Sequence, residues 1–250
     1  MVKRTHIYHT VSFMEDKFDL LYFWGCNFDC RGCIRHCGHW DHNLSSDCLS
    51  RLKTLNPSQV FLSYDEFTKI INNLRNSIVF LGGGEATLDP SLPWIASKLY
   101  QSNFYTVLQT NGYSIFPEMW TSISKGIISE IRISLKAISP ALHRSLTGYP
   151  IHNVLSNLKR LHKLGVRLKV HTTFIPDVIS TEEIQKLAIF ISDINPNLPL
   201  RIDPYVAVPN TSWKTPSTEK LLEVAETAKK YLVNVSYIEG LKSKATLVYP

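Results

Sequence analysis

The stretch LLYFWGCNFDCRGC, residues 20–33, joins an apolar run to three closely spaced cysteines. The apolar run ends at Gly25, so Cys26, Cys30 and Cys33 are predicted to lie on a loop at the carboxyl end of a β-strand. Their C-x3-C-x2-C spacing is typical of ligands to one soft metal centre, but it supplies one ligand fewer than a closed tetrahedral zinc site or a cubane iron-sulfur cluster needs. One coordination position is therefore left for another ligand. Ordinary buried thiols and a zinc knuckle completed by a nearby histidine are the alternatives.

This spacing closely resembles the cluster loop of the radical S-adenosylmethionine (SAM) enzymes. The resemblance implies that Cys26, Cys30 and Cys33 hold three irons of a [4Fe-4S] cluster, while the amino and carboxylate groups of SAM chelate the fourth iron. It also implies the reaction of the family, in which the reduced cluster cleaves SAM to methionine and a 5′-deoxyadenosyl radical that abstracts a hydrogen atom. The electron donor expected from the family is a flavodoxin or ferredoxin. Such carriers are acidic, which suits the net charge of +6 on this chain.

Composition predicts a single cytoplasmic domain over residues 1–250. The chain is 44% hydrophobic and 19% charged, which is enough to bury a full core. No apolar run approaches the ~18 residues of a membrane span, and the N-terminus carries no signal-peptide core. Five cysteines are an odd number, which favours reduced metal-binding thiols over a disulfide scaffold, and Cys37 and Cys48 alone are too few for a second all-cysteine cluster. Basic residues are spread without a dense block, so nucleic acid is not the expected partner.

Short β-rich runs alternate with helical patterns along the chain. The predicted strands are residues 18–24, 77–81, 104–109, 130–136, 167–175 and 200–206. The predicted helices are residues 65–74, 90–100, 117–125, 151–164, 181–194 and 218–231, the second with Asp89 as its N-cap and Pro90 at its first position. Six successive β-α units predict an α/β fold, a partial (β/α)6 parallel barrel of the radical SAM type. Its core is expected over about residues 18–206, with a C-terminal helix and strand extension over 207–250.

The loops at the carboxyl ends of parallel strands are where such barrels gather their functional residues. After the second predicted strand comes Gly82-Gly83-Gly84-Glu85, where glycines let a ligand approach the backbone and Glu85 adds an acceptor suited to an ammonium group. A flexible turn is the alternative. The stretch resembles the GGE motif of radical SAM enzymes, which implies that Gly83, Gly84 and Glu85 contact the SAM amino group.

The later strand ends resemble the glycyl-radical-enzyme activating enzymes, a radical SAM subgroup related to pyruvate formate-lyase activase. Asn111 follows the third strand, and Ser134 and Lys136 end the fourth; the resemblance implies that all three belong to the SAM site. His171 falls on the fifth strand, where the subgroup has a basic residue that reaches the SAM carboxylate. Asp203, on the sixth strand, is placed to reach the ribose or a cation.

Three positions depart from the subgroup pattern. Gln109 and Ser134 stand where the subgroup has two aspartates that help to hold a monovalent cation beside the SAM carboxylate, and neither side chain carries a charge. Gly32 stands where an aromatic residue just before the third cysteine lies against the adenine. Adenine packing is therefore expected to come from elsewhere in this chain or from backbone contact.

Further potential metal ligands follow the cluster loop, namely His36, Cys37, His39, His42 and Cys48. Their spacing matches no standard zinc finger, although a zinc site remains the alternative. The segment is interpreted as a loop that, as in the activases, carries a Trp-Asp pair near SAM, here Trp40-Asp41, and shields the cluster from water.

The leading functional hypothesis is a radical SAM oxidoreductase that activates a glycyl-radical enzyme. Its protein substrate would enter through the open side of the incomplete barrel. The alternative within enzymes is a radical SAM enzyme that acts on a peptide or on a small nucleoside or cofactor precursor. The alternative of another class is a non-catalytic zinc or iron-sulfur binding module, because a fold alone does not establish an activity.

Overall fold

The computed structural model describes residues 3–238 and 244–250. Its strands are β1 (Ile7–Phe13), β2 (Phe18–Phe23), β3 (Ile78–Gly83), β4 (Tyr105–Thr110), β5 (Glu130–Ser134), β6 (Leu168–Phe174), β7 (Leu200–Pro204), β8 (Val235–Tyr237) and β9 (Thr246–Tyr249). Its α-helices are α1 (Ser46–Leu52), α2 (Tyr64–Ile71), α3 (Leu92–Gln101), α4 (Pro117–Ser124), α5 (Pro140–Thr147), α6 (His152–Lys163), α7 (Thr181–Ile194) and α8 (Thr218–Lys229). Short 3-10 helices cover Ile34–Cys37, Pro57–Gln59 and Ala86–Leu88.

These strands form a single sheet in the order β8-β7-β6-β5-β4-β3-β2-β1-β9. Every neighbouring pair from β2 to β8 is parallel, whereas β1 pairs antiparallel with β2 and with β9. The predicted α/β fold with a mainly parallel sheet is confirmed. All six predicted strands are present, and the helices between them cover the outer face of the sheet and bury their apolar side chains in one cluster with it.

Serine caps fix where several helices begin. Ser63 and Glu66 form a capping box at the start of α2, and Ser180 and Ser217 cap α7 and α8. The predicted start of α3 is wrong, because this helix begins at Leu92 with Ser91 as its N-cap residue. The Asp89 carboxylate instead accepts from the backbone N–H groups of Ser91 and His6, each at 2.7 Å, and so ties the N-terminal segment to α3.

Strand β1 is the main element that the sequence prediction missed. It lies between β2 and β9, and all seven of its residues are buried, including His9, Thr10 and Ser12. The mixed polar sequence hid the strand because partners on the neighbouring strands satisfy two of its polar side chains: the carbonyl of Tyr249 lies 2.9 Å from His9 Nδ1, and Ser12 Oγ donates to Asp19. Strands from outside residues 18–206 thus join the same sheet as the predicted core.

The inner face of the sheet is polar along β5, β6 and β7. Side chains alternate between the two faces of a strand, so the buried Ile131 and Ile133 point outward to the helices while Arg132 and Ser134 point inward. Residues 239–243, part of the predicted C-terminal extension, lie outside the described residues. Over the part of the chain that is described, no helix has the length and apolar character needed to cross a membrane.

Candidate functional site

A cavity of about 370 Å³ lies at the carboxyl ends of the parallel strands. Its lining comes from the loop after β2 and from the ends of β3, β4, β5, β6 and β7, so the sheet curls far enough to bring these ends together. Every residue that the sequence predicted for cluster or SAM binding lines this one cavity: Cys26, Cys30, Cys33, Gly83, Gly84, Glu85, Asn111, Ser134, Lys136, His171 and Asp203.

The cysteine loop is held to α5 by its backbone. The N–H groups of Asp29 and Arg31 donate to the carbonyls of Thr147 and Leu146 at 3.0 and 3.1 Å. Phe28 is buried beneath the loop, where its ring stacks on Tyr149 at 5.5 Å between centroids. A short irregular loop is thereby fixed by the fold, and its three thiols all face the cavity.

The chemistry of the thiols suits an iron-sulfur cluster. Burial raises the pKa of Cys26, and it raises the pKa of Cys30 to about 11 although the Lys136 ammonium acts in the opposite direction. Iron binds thiolates, so a cluster held by these two side chains would displace their protons. Within the described residues, no three His, Cys, Asp or Glu side chains converge as they would around a single metal ion.

The glycine-rich end of β3 packs directly against the start of the cysteine loop. The N–H groups of Gly84 and Glu85 donate to the carbonyls of Phe23 and Gly25 at 2.9 and 2.8 Å. A Cβ atom on Gly84 would lie 2.2 Å from the Gly25 oxygen, and one on Gly83, where φ is +85°, would lie 2.5 Å from the Tyr22 ring. Only glycine lets β3 approach β2 this closely.

The Glu85 carboxylate already has protein partners. It is buried and accepts from Thr87 N at 3.2 Å, Thr87 Oγ1 at 2.7 Å, Thr110 Oγ1 at 2.6 Å and Asn111 N at 2.7 Å. Burial raises its pKa, and the bonds from Asn111, Thr110 and Thr87 oppose that shift. These bonds join the ends of β3 and β4, so the main contribution of Glu85 in this structure is to hold the two strand ends in place.

Asn111 joins the end of β4 to the cysteine loop. Its Nδ2 donates to Asn27 Oδ1 at 2.7 Å and lies 3.8 Å from Cys26 Sγ. Its Oδ1 accepts from the N–H of Tyr113 at 2.9 Å, which fixes the orientation of the amide. The Asn-Gly turn thus positions the loop that carries Cys26 in addition to lining the cavity.

His171 is buried and uncharged. Burial lowers its pKa to about 2, and the neighbouring cations Arg201, Arg132, Lys169 and Lys136 act in the same direction. The sequence prediction placed a basic residue here, whereas the structure offers a neutral imidazole that can only donate or accept a hydrogen bond. Asp203 pairs with Arg201, with Oδ2 2.9 Å from Nη2.

The segment after the cysteine loop does not assemble the alternative zinc site. Cys48 is buried in a small separate core with Val11 and Phe13, whereas Cys37 is exposed. The Trp40-Asp41 pair lines no part of the cavity: Asp41 accepts from the Tyr22 hydroxyl, and Trp40 packs edge-on against His9. The side chains of this pair instead anchor the loop to β1 and β2.

Trp213 is a site residue that sequence reasoning missed. A second cavity of about 290 Å³ adjoins the first, shares Cys30, Cys33 and Lys136 with it, and is lined by the Trp213 ring. A Cβ atom on Gly32 would lie 2.8 Å from that ring, so Trp213 occupies the space that a side chain at position 32 would need. The Arg31 guanidinium lies over the same ring at 5.3 Å. Nothing local in the sequence indicates that residue 213 returns to the cysteine loop.

Comparison with known proteins places these observations in a family. The family model of the radical SAM superfamily matches residues 22–191. A protein of Methanocaldococcus jannaschii that carries the name "Putative glycyl-radical enzyme activating enzyme" is 32% identical over 89% of this chain and 81% of its own length. The 7-carboxy-7-deazaguanine synthase of the same organism is 24% identical over 88% of each chain.

Solved structures agree on the fold. Streptococcus suis SuiB bound to the precursor peptide SuiA has a TM-score of 0.65 at 16% identity over 87% of this chain, and this chain spans only 47% of SuiB. Archaeal TYW1 has a TM-score of 0.58 at 14% identity over 94% of this chain and 79% of the other. The chain therefore belongs to the radical SAM superfamily, and it is an enzyme that uses a [4Fe-4S] cluster and S-adenosylmethionine.

Proposed function

We propose that Cys26, Cys30 and Cys33 hold the three cysteine-bound irons and that the cavity beside them binds SAM. The bound cluster and SAM supply a one-electron cleavage that generates a carbon radical able to take a hydrogen atom from a substrate. An acidic flavodoxin or ferredoxin supplies the electron, and the net charge of +6 favours its approach. The single observation that supports this assignment is the convergence of the three thiols with five strand ends on one cavity.

Different residues around the cavity are assigned to different groups of SAM. The close contact of β3 with the cysteine loop leaves the backbone of Gly83 and Gly84 facing the cavity, and Lys136 brings a cation for the SAM carboxylate. Asn111, Ser134 and the neutral His171 add uncharged hydrogen-bonding groups. Neither Gln109 nor Ser134 adds a carboxylate for a monovalent cation, and Asp203 is engaged by Arg201.

Trp213 takes the place of the aromatic residue missing at Gly32. We expect Trp213→Ala to weaken SAM binding about tenfold, because stacking of a base on an aromatic ring contributes roughly 1–3 kcal/mol. Trp213→Phe keeps a ring and should retain most of the affinity. Equilibrium dialysis of labelled SAM against the reconstituted protein measures both changes. Trp120→Ala on the outer helix α4 is the matched control, and equal SAM affinity in Trp213→Ala and wild type would contradict the assignment.

For the hydrogen donor, we propose a glycine of a partner protein. Two observations support glycyl-radical-enzyme activation: the name of the relative that is 32% identical, and an open sheet whose edge strands, β8 and β9, leave the barrel unclosed. In this step the Cα–H bond of the glycine breaks, the hydrogen atom passes to C5′ of the adenosyl fragment, and a glycyl radical remains. The electron consumed comes from the flavodoxin or ferredoxin.

Deuterium transfer tests this assignment. A candidate glycyl-radical enzyme from the same organism, labelled with [2,2-²H₂]glycine, should transfer one deuterium into 5′-deoxyadenosine and show a glycyl radical by electron paramagnetic resonance. Mass spectrometry of the nucleoside measures the transfer. Formation of unlabelled 5′-deoxyadenosine with no protein radical would contradict this choice of substrate while leaving SAM cleavage intact.

A second candidate substrate is a small nucleoside or cofactor precursor. One observation favours it: the inner face of the barrel below the cavity is rich in fixed positive charge rather than apolar. A relative of the same length, 7-carboxy-7-deazaguanine synthase, bears the name of a small-molecule enzyme.

A further inference from the structure

A cavity of about 550 Å³, the deeper cavity, lies farther down the strands than the cluster cavity and is partly open to solvent beside the exposed Val233. It lies toward the amino ends of β6, β7 and β8, because Lys169, Leu200 and Val235 line it near the starts of these strands. Arg132, His171 and Arg201 line this cavity and the cluster cavity alike. These three side chains therefore lie where the two cavities border each other.

Three cations stand side by side on the wall of this deeper cavity. Arg132 on β5 is directly opposite Lys169 on β6, and Arg201 on β7 is opposite His171 on β6. Alternation along each strand turns all four side chains to the same inner face. Arg132 is held rigidly, with its guanidinium over the Phe80 ring at 4.6 Å and its Nε 2.5 Å from Glu130. A planar donor group is thus oriented before any ligand binds.

The positive charge of this wall exceeds its negative charge. Glu130 is shared between Arg132 and Lys169, with 3.2 Å to the Lys169 ammonium, and Asp203 pairs with Arg201. Three cations on this wall therefore face two carboxylates, since Lys136 lines the cluster cavity and not this one. One positive charge is left without a carboxylate on a wall where the side chains of Arg132 and Arg201 are only 16% and 26% exposed. An anion placed here would gain charge-assisted hydrogen bonds in a partly desolvated setting.

His171 also has free hydrogen-bonding capacity. It is 7% exposed, and its ring makes no hydrogen bond with any described residue. It stands between the deeper cavity and the cluster cavity. A polar ligand that spans both would give the imidazole a partner.

We propose that the deeper cavity binds an oxyanion group of the substrate, a carboxylate or a phosphate, through Arg132, Lys169 and Arg201. This inference rests on the proposed function, since it assigns the anchor for the molecule whose hydrogen atom is removed. Two residues of a strand rise about 7 Å, so the group bound at Arg132 lies roughly that far below Ser134 at the cavity mouth. The substrate is then a molecule with an anionic end in the barrel and its reactive carbon at the cluster.

Anion binding by the reconstituted holoenzyme, with SAM present to fill its own site, tests the proposal. Isothermal titration calorimetry with inorganic phosphate and with succinate should each show one saturable site. Lys169→Gln and Arg201→Gln should weaken that site about tenfold, as expected for loss of one charge-assisted bond. Tighter binding of phosphate points to a phosphorylated small molecule, and tighter binding of succinate points to a carboxylate, including one on a peptide.

Arg167→Gln is the matched control. Arg167 is a cation near the same Glu130, at 3.7 Å, but its side chain is 69% exposed and lines neither cavity. Its replacement should leave anion binding unchanged. Absence of saturable binding, or equal weakening in all three variants, would overturn the proposal. Because Lys169 is partly exposed, Lys169→Gln is expected to fold and is sufficient for the test if Arg201→Gln does not fold. The deuterium experiment tests the proposed function separately.

Discussion

We expect that replacing Cys26, Cys30 and Cys33 with alanine abolishes cluster binding and SAM cleavage. The three thiols line one cavity, and within the described residues no other group of cysteine side chains faces it. After anaerobic reconstitution with iron and sulfide, the wild-type protein should show a broad absorption near ~400 nm and bind about four irons. The triple variant should show neither, and its yield of 5′-deoxyadenosine with dithionite and SAM should fall to the level without enzyme.

Cys37→Ala is the matched control for this loss. Cys37 lies only four residues after Cys33, is exposed, and does not line the cavity. Iron content and SAM cleavage should therefore match the wild type in this variant. Iron retained by the triple variant, or lost from Cys37→Ala, would show that the cluster is held elsewhere.

The residues that line the cluster cavity could be predicted because the sequence motifs that indicate them are local. The predicted residues lie in the carboxyl-terminal half of a strand or on the loop that follows it, and the carboxyl ends of parallel strands meet at one edge of a sheet. Cys26 after β2, Glu85 after β3 and Asn111 after β4 are therefore brought together by topology alone. Their bonding partners could not be predicted, since the contacts of Glu85 with Thr110 and Asn111 depend on the exact height at which β3 and β4 pair.

The features that the sequence did not reveal depend on contacts between distant residues. The sequence of β1 contains several polar residues, yet the buried His9 imidazole forms a hydrogen bond with the carbonyl of Tyr249, 240 positions away. The Trp213 ring likewise packs against Gly32, a residue that is distant in the sequence. The lowered pKa of His171 likewise comes first from burial in the assembled sheet and then from Arg201 and Arg132 on neighbouring strands. A local pattern describes one element at a time, whereas burial and partner choice are properties of the assembled sheet.

Gly84→Ala should damage both the fold and the SAM site. Gly84 donates to the Phe23 carbonyl, and a Cβ atom there would meet the backbone oxygens of Gly25 and Phe23 at 2.2 and 2.5 Å. Backbone atoms cannot move aside as the end of a flexible side chain can, so β3 must separate from the cysteine loop. We expect the free energy of unfolding to fall by about 3 kcal/mol, at the upper end of overpacking costs. SAM affinity should fall at least roughly tenfold, because the glycine backbone and the cysteine loop would no longer share one cavity wall.

Gly165→Ala separates this effect from a general glycine effect. Gly165 has φ of +68° and no atom within 4 Å of an added Cβ, and it lies near the amino end of β6, away from the cluster. Its replacement should cost roughly 1–2 kcal/mol of backbone strain and leave SAM binding unchanged. Chemical denaturation and equilibrium dialysis measure the two quantities on the same preparations. If Gly84→Ala bound SAM as tightly as Gly165→Ala, the close approach of β3 to the cysteine loop would be a feature of packing alone, and the SAM contacts would have to come from β4, β5 and Trp213.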